Sequence, residues 1–510
     1  MRASFRYFRD YKAVTSRYGS ICRLTIFSAC PYNEPKIKGG EDVMSNRKGS
    51  LSERSISIWA LTWPIMIEMT LQFMLGTADT IQVSRISDDA VAVVGIANQF
   101  FNAVIVLFSL VCSGAGILIA QKLGAHKQME ARKIAVMSVT ITAMIGIVIS
   151  ILLASCTDVF IAMLNVPVEI RPLAHTYMSM VGGGMIITAL NLSFSTAVRN
   201  TGDTRSPMLI AVGMNILHIA LNYAFIFGAF GFPKWGLYGV GVSMLIARGV
   251  AMLFQIRLFT HAFGDRIRLR EYFKFNGPLL KEVVKLGWPL SMNGASWTFS
   301  QLTIYAIIAT MGAEQLATRT YMNTIESFAF LFGWSLAMGV QIRISYLYGA
   351  GRYREAYYDA YKVVGWGIVI VLANTALMLL FRHQLLGLFT EDQQIIDTAL
   401  TLLWLNLILQ PGKMLNMALG QSLSAIGDSR TVMLYSLPIM WVVAVGASYM
   451  LAAPLGYGLL GIYAGMIADE YLRGAASTYR WRLHRRKAFA SAFDESKTEA
   501  DRSAASTVSI

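Results

Sequence analysis

Long apolar stretches, broken by short polar ones, run the length of this 510-residue chain. Ile134–Ala154 and Val363–Leu380 are two of them. Each is close to the ~20 residues an α-helix needs to cross the bilayer hydrocarbon. Read in this way, the pattern predicts twelve spans, six in each half of the chain. The first six cover residues 57–79, 91–113, 134–156, 173–195, 206–228 and 236–257. The second six cover 286–308, 316–338, 360–381, 398–420, 432–453 and 458–479.

The two sets are related to each other. A displacement of 225 positions lays Leu61-Thr62-Trp63-Pro64-Ile65 on Leu286-Gly287-Trp288-Pro289-Leu290. It also pairs Asn98 with Asn323, Gly124-Ala125 with Gly349-Ala350, and Glu130-Ala131 with Glu355-Ala356. Asn191 meets Asn416, Gly202-Asp203 meets Gly427-Asp428, and Arg205 meets Arg430. Further on, Gly236-Leu237 and Gly239 meet Gly458-Leu459 and Gly461 at a displacement of 222. An even number of spans starts both halves on the same side of the membrane, so the repeats are parallel, related by an axis along the membrane normal. The expected fold is an all-α polytopic membrane protein, twelve transmembrane helices in two parallel-related six-helix lobes. Repeat transporters place their sites at the seam between the halves. The expected divisions are an N-terminal tail at 1–55, lobes at 56–257 and 286–480, a linker at 258–285 and a disordered tail at 481–510. Glycines in the spans read as close helix packing. Pro64 and Pro289 are expected near the starts of matched helices, where a missing N–H costs least.

Composition agrees with a membrane protein. The chain is 55% hydrophobic and 15% charged, with a mean hydropathy of +0.50, against about 25% charge in a soluble chain. The net charge of +14 does not signal nucleic acid, because its distribution alternates. Segments 122–133, 257–285, 343–362 and 480–487 are basic, whereas the intervening loops hold only Arg85, Arg171, Lys234 and Arg382 as cations. By the positive-inside rule both termini are expected in the cytoplasm, with the basic loops facing anionic lipid heads. Cys22, Cys30, Cys112 and Cys156 have no metal or disulfide spacing. The basic residues 1–43 lack a secretory apolar core, and Met44-Ser-Asn-Arg-Lys is a candidate second start.

Chemistry must come from polar groups at membrane depth, where a charge costs roughly 2.5–3.5 kcal/mol and so marks a partner or a function. Glu68, Gln72 and Asp79 share one stripe of the first span, since offsets of 4 and 11 residues return to within about 40° at about 100° per residue. Glu68 and Asp79 are about 16 Å apart along the axis. Their repeat partners, Asn293, Trp297 and Ile304, carry no acid. Asn215, His218 and Asn222 form a second stripe on the fifth span, opposite the apolar Met440, Val443 and Ala447. His218 can titrate near neutral pH. Broken symmetry therefore marks the first lobe as a cation or proton site. In the second lobe Arg319, Asn323 and Glu326 align on the eighth span, and Lys413, Asn416 and Gly420 on the tenth. Lys413 needs an anion, for which Glu326 is a candidate, and Asp469 and Glu470 sit in the last span. The substrate cavity is expected to draw on Gln72, Asn191, Glu326, Lys413 and Asn416, and the 27 Met residues suit an adaptable cavity. There is no phosphate-binding loop of the G-x-x-x-x-G-K-[ST] type and no H-E-x-x-H, C-x-x-C or G-x-S-x-G motif. Transport would therefore run on an ion gradient.

Trp63-Pro64 through Gly76-Thr77-Ala78-Asp79-Thr80, Gln121-x-x-Gly124-Ala125, Arg199-Asn200-Thr201-Gly202-Asp203-Thr204 and Asn222-Tyr223-Ala224-Phe225-Ile226-Phe227-Gly228 resemble, in order and spacing, bacterial multidrug and toxic compound extrusion (MATE) transporters. The likeness covers about residues 55–480. It implies two lobes around a V-shaped cavity that alternates between membrane faces. It implies a monomer of the bacterial cytoplasmic membrane, not an enzyme, that exports cationic amphipathic small molecules without a cofactor, in exchange for sodium ions or protons. Asp79 matches the family's coupling aspartate, and would hold the sodium ion if that is the cargo. His218 and Asn222 stand where relatives carry an asparagine and an aspartate, which opens a compensating role for Glu68 and leaves the coupling ion undecided between the two. The acids that relatives carry near Trp297 and Lys413 are missing here, which admits an anionic or zwitterionic substrate. The rival readings are a lipid-linked oligosaccharide flippase of the same superfamily, a membrane-embedded enzyme and a scaffold.

Overall fold

The computed structural model of the protein describes residues 57–485, apart from 165, 265–270, 272–275, 388, 390 and 391. The candidate start at Met44, Cys22, Cys30 and the tail from residue 486 lie outside the described residues. Twelve membrane-scale elements follow in order. The first lobe holds α1 (Ile58–Ser84), α2 (Asp88–Gly124), α3 (Gln128–Ser155), α4 (Arg171–Gly183 continued by Met185–Arg199), α5 (Arg205–Phe227) and α6 (Gly236–Phe263). The second holds α7 (Gly277–Ala309), α8 (Ala313–Gly349), α9 (Tyr353–Leu380), α10 (Gln393–Ala425), α11 (Ser429–Ala452) and α12 (Gly458–Leu483). Nine of these are long and apolar enough to cross a membrane singly, and α4 is so as a pair bent by 41°. Of the remaining two, α7 and α12, the latter is made less apolar by Asp469, Glu470 and Arg473.

The helices overrun the apolar windows. α2 continues to Gly124 and α8 to Gly349, carrying Gln121, Lys122, Gln341 and Arg343 in helical conformation. α12 runs through the buried Trp481 to Leu483, past the expected start of the tail. Pro64 and Pro289 are not in first turns as expected. They lie well inside α1 and α7, both buried. α11 takes a π-helical stretch at Met440–Ala447, directly after Pro438, where a proline removes an intrahelical hydrogen bond and the register relaxes.

The ends of α2 and α8 meet across the two lobes, and glycine makes that approach possible. A Cβ on Gly124 would lie 2.0 Å from the Tyr346 carbonyl oxygen, and one on Gly349 would lie 1.9 Å from that of Gln121. Gly124 and Gly349 are repeat partners, as are Gln121 and Tyr346, so this contact is its own image under the two-fold relation. A second contact occurs twice. A Cβ on Gly114 would sit 2.1 Å from the Val283 oxygen and 2.8 Å from the Gly287 nitrogen, while one on Gly339 would meet Thr62 Oγ1 at 2.5 Å. Displacement by 225 converts Gly114 to Gly339 and Thr62 to Gly287. Leu61, Ile65 and Ile342 form a small apolar core beside it. Gln121 donates to the Ala425 carbonyl at 2.7 Å, adding a polar tie. From there α1 and α8 stay in touch through Met69 and Ser335 as far as Phe73 and Phe328, whose rings meet at 5.8 Å. The segments at these helix ends, 122–133 and 343–362, are basic. At the same end Asp428, before α11, accepts from Arg480 at 2.6 Å and contacts His484 at 3.2 Å. Burial would raise its carboxyl, but hydrogen bonds from His484, Arg480 and Thr431 outweigh that and hold it well below the usual carboxylate range.

A methyl group in this seam has nowhere to go. Overpacking typically costs about 1–3 kcal/mol, enough to move a two-state population by roughly a factor of ten. Gly124→Ala and Gly349→Ala should therefore lengthen the distance between spin labels placed at Lys127 and Arg352, measured by double electron–electron resonance. An unchanged distance distribution would show that the seam tolerates side chains.

Candidate ion and substrate sites in the two lobes

In the first lobe, α1, α4, α5 and α6 bring a set of polar side chains together around Asp79. Asp79 lies on α1 more than a turn before its end at Ser84. Asn222 Nδ2 donates to Asp79 Oδ1 at 2.9 Å, and Ser243 Oγ donates to Asn222 Oδ1. His218, one turn before Asn222, places Nε2 3.8 Å from Asp79 Oδ1, too far for a hydrogen bond. Arg248 on α6 donates to Thr188 Oγ1 at 2.7 Å and acts electrostatically on Asp79, His218 and Tyr177. The Tyr177 hydroxyl, His218 Nε2 and both amide atoms of Asn215 are buried and find no hydrogen-bond partner among the described residues. Buried polar atoms are nearly always paired, so the unpaired His218 Nε2 and Tyr177 hydroxyl near the Asp79 carboxylate suit a group that exchanges a proton or an ion. Asp79 is the one carboxylate of this group, and among the described residues no set of three His, Cys, Asp or Glu side chains is placed to hold a metal ion.

The structure brings Asp79, His218 and Asn222 into one network. It keeps Glu68 apart. Both Glu68 oxygens accept from Arg199 Nη2, at 2.8 and 2.9 Å, and the side chains of the pair are 9% and 12% exposed. Glu68 is thus committed to a buried ion pair between α1 and α4. Gln72 is exposed. Asn191 donates to the Arg248 carbonyl at 2.9 Å and so positions α6.

The second lobe is more heavily charged. Arg319 is fully buried on α8, and its Nη1 donates to Tyr463 Oη at 2.9 Å and Glu326 Oε2 at 3.3 Å. Tyr463 donates to the other Glu326 oxygen. Lys413 of α10 reaches Glu326 at 3.7 Å, which realises the expected pairing as a distant one. Asn416 donates to Glu470 Oε2 at 2.8 Å, and Arg473 pairs with both Asp469 and Glu470. Asn323, aligned with Arg319 and Glu326 by period, is exposed.

Sequence reasoning missed Arg248, Arg199 as the partner of Glu68, Arg473, Tyr463, Ser243 and Tyr177. A signal was present for Arg248 and Arg473, because each is a charge inside a predicted span. Nothing in the sequence distinguished Ser243, Tyr177 or Tyr463 from other membrane hydroxyls.

Removing one partner of a buried ion pair typically costs about 3–5 kcal/mol, whereas removing both costs less. Glu68→Gln and Arg199→Gln should each lower the thermal midpoint of the detergent-solubilised protein, and the double variant should recover much of the loss. Equal, additive losses would show that the two groups do not depend on each other.

Comparison with known proteins bears on the fold that carries these residues. The MatE family model matches residues 64–224 and again 289–450, one copy per lobe, starting at the matched prolines. An "Uncharacterized transporter YisQ" of Bacillus subtilis (strain 168) is 35% identical over 431 residues, covering 84% of this chain and 95% of the relative. A "Probable multidrug resistance protein NorM" of Thermotoga maritima is 27% identical over 423 residues, covering 81% and 89%. Among solved structures, an outward-facing MATE transporter superposes with a TM-score of 0.76 at 23% identity, covering 84% of this chain and 95% of that one. A second, from Pyrococcus furiosus and described as having a binding pocket of reverse polarity, gives 0.77 at 23%, covering 85% and 96%. At these identities the superpositions speak for the fold: twelve helices in two lobes.

Proposed function

This chain belongs to the MatE family of multi-pass membrane transporters, and we propose that it is a multidrug exporter of the bacterial inner membrane, driven by protons through Asp79. The name of the Thermotoga relative supports efflux of drugs over lipid flipping. The proton reading rests on one observation. The single carboxylate of the first-lobe network is held by the amide N–H of Asn222, whose oxygen is already occupied by Ser243. Asn222 thus faces Asp79 as a donor and cannot also ligate sodium there, and a hard cation needs several oxygen ligands. A proton needs only one.

Arg248 sets the consequence. With Asp79 ionised, the Asp79–Arg248 set is neutral. A proton on Asp79 leaves the Arg248 charge unopposed in a low-dielectric setting, where like charges repel strongly. A cationic substrate and a proton therefore compete for the same negative charge. Binding of a proton from outside expels the substrate and favours the alternative packing of the lobes, by an amount set by the proton's differential affinity for the two states. Coupling of this kind is typically worth about 1–3 kcal/mol. With both termini cytoplasmic, as the basic loops direct, the glycine seam lies toward the cytoplasmic face.

In proteoliposomes an inward proton gradient should drive efflux of a cationic dye, and a sodium gradient at constant pH should not. Asp79→Asn should lower gradient-driven efflux at least about tenfold. Wild-type rates in Asp79→Asn, or efflux that follows sodium alone, would overturn the proposal.

A further inference from the structure

The repeat relation places the same polar constellation in both lobes with its charge inverted. In the first lobe Arg248 is bound by Thr188 and Asn191. Displacement converts Thr188 to Lys413, Asn191 to Asn416 and Arg248 to Glu470. Asn191 donates to the backbone carbonyl of Arg248, and its counterpart Asn416 donates to the Glu470 carboxylate itself. Where the first lobe presents a cation, the second presents an anion, with a lysine in place of threonine beside it.

The charges around this set do not balance locally. Glu326 is already bound by Arg319 and Tyr463. Lys413 stands 3.7 Å away and makes no hydrogen bond among the described residues, so two cations share one carboxylate. About one helical turn further along α10, Asn416 marks the opposite case. There Asp469 and Glu470, two carboxylates, share Arg473. The polar strip thus has one unit of excess positive charge at Lys413 and one of excess negative charge at Glu470. Lys413 is the more accessible end, and Glu470 is buried. The Lys413 side chain is 15% exposed and that of Glu470 10%, whereas Arg319, Asp469 and Arg473 are more deeply enclosed. α10 turns this strip into the wedge between α8 and α12, since Met414 packs on Gly333 and Gly412 on Tyr471.

We infer that the second lobe holds a binding site for zwitterionic organic compounds, in which Lys413 receives the substrate's anionic group and Glu470 its cationic group. Arg319 and Tyr463 act as positioning residues: they saturate Glu326 and thereby leave the Lys413 ammonium available. This rests on the transporter reading above, and names a substrate class for it.

The test uses a zwitterionic rhodamine with a free carboxylate and its methyl ester, a monocation of nearly the same shape. Binding of each to the full-length, detergent-solubilised protein is measured by fluorescence anisotropy, without any gradient. A charge-assisted contact is worth about a tenfold or larger change in affinity. Lys413→Gln should weaken the acid at least about tenfold and the ester by less than about threefold. Lys413→Arg should restore most of the affinity for the acid, and Glu470→Gln should weaken both dyes. Equal effects of Lys413→Gln on acid and ester would overturn the site. If that variant does not fold, the wild-type preference decides: binding the ester more tightly than the acid also overturns it. Binding that obeys this pattern without gradient-driven flux would refute the transport coupling and leave the site standing. Flux without selectivity for the acid would do the reverse.

Discussion

The backbone-to-backbone approach at Gly124 and Gly349 is the constraint on which the arrangement of the two lobes depends. Gly114 against Gly287 and Gly339 against Thr62 extend it along the helices. Inside a bilayer the hydrophobic effect offers little to distinguish helix from lipid, so lobes associate through close packing and small residues. Glycine provides that here without committing large apolar surfaces to a permanent interface. Because each contact has a repeat partner, the seam is symmetric about the axis between the lobes. A symmetric seam can open evenly at one end while the lobes remain intact around their own cores.

Rigidity within each lobe comes from buried ion pairs as much as from apolar packing. Glu68–Arg199 ties α1 to α4, and Arg319–Glu326–Tyr463 ties α8 to α12. Such pairs contribute little net stability against an apolar alternative, but they are costly to break singly. They therefore hold register. Against that fixed background, Asp79 and Lys413 stand out as charges with no close ionic partner: His218 is 3.8 Å from the one and Glu326 3.7 Å from the other. The two lobes share one scaffold and present opposite polarity from it: a cation at Arg248 in one, an anion at Glu470 in the other.

Much of this was legible in the chain itself. Twelve spans, the parallel relation of the halves and the Asp79–His218–Asn222 grouping follow from hydropathy and from comparing one half with the other. The sequence failed where tertiary contact decides. The prolines could not be placed: Pro289 is interior because α7 begins at Gly277, ahead of the apolar window at 286, and Pro64 lies beyond the first turn of α1, which begins at Ile58. Glu68 looked like a partner of Asp79, because both lie on one stripe of α1. Arg199, distant in sequence and at the end of α4, takes it instead. Arg248 breaks the repeat symmetry outright, since Glu470 takes its place in the second half. The matched glycines were read as packing, which is correct, but their position at the meeting of the lobes requires coordinates.

The central claim is that proton and cationic substrate exclude one another at Asp79. Titration calorimetry in buffers of different ionisation enthalpy counts protons released when a cationic dye binds the purified protein. The account predicts proton release by the wild type below neutral pH and none by Asp79→Asn. Binding to the wild type with no proton release, or release undiminished in Asp79→Asn, would contradict it.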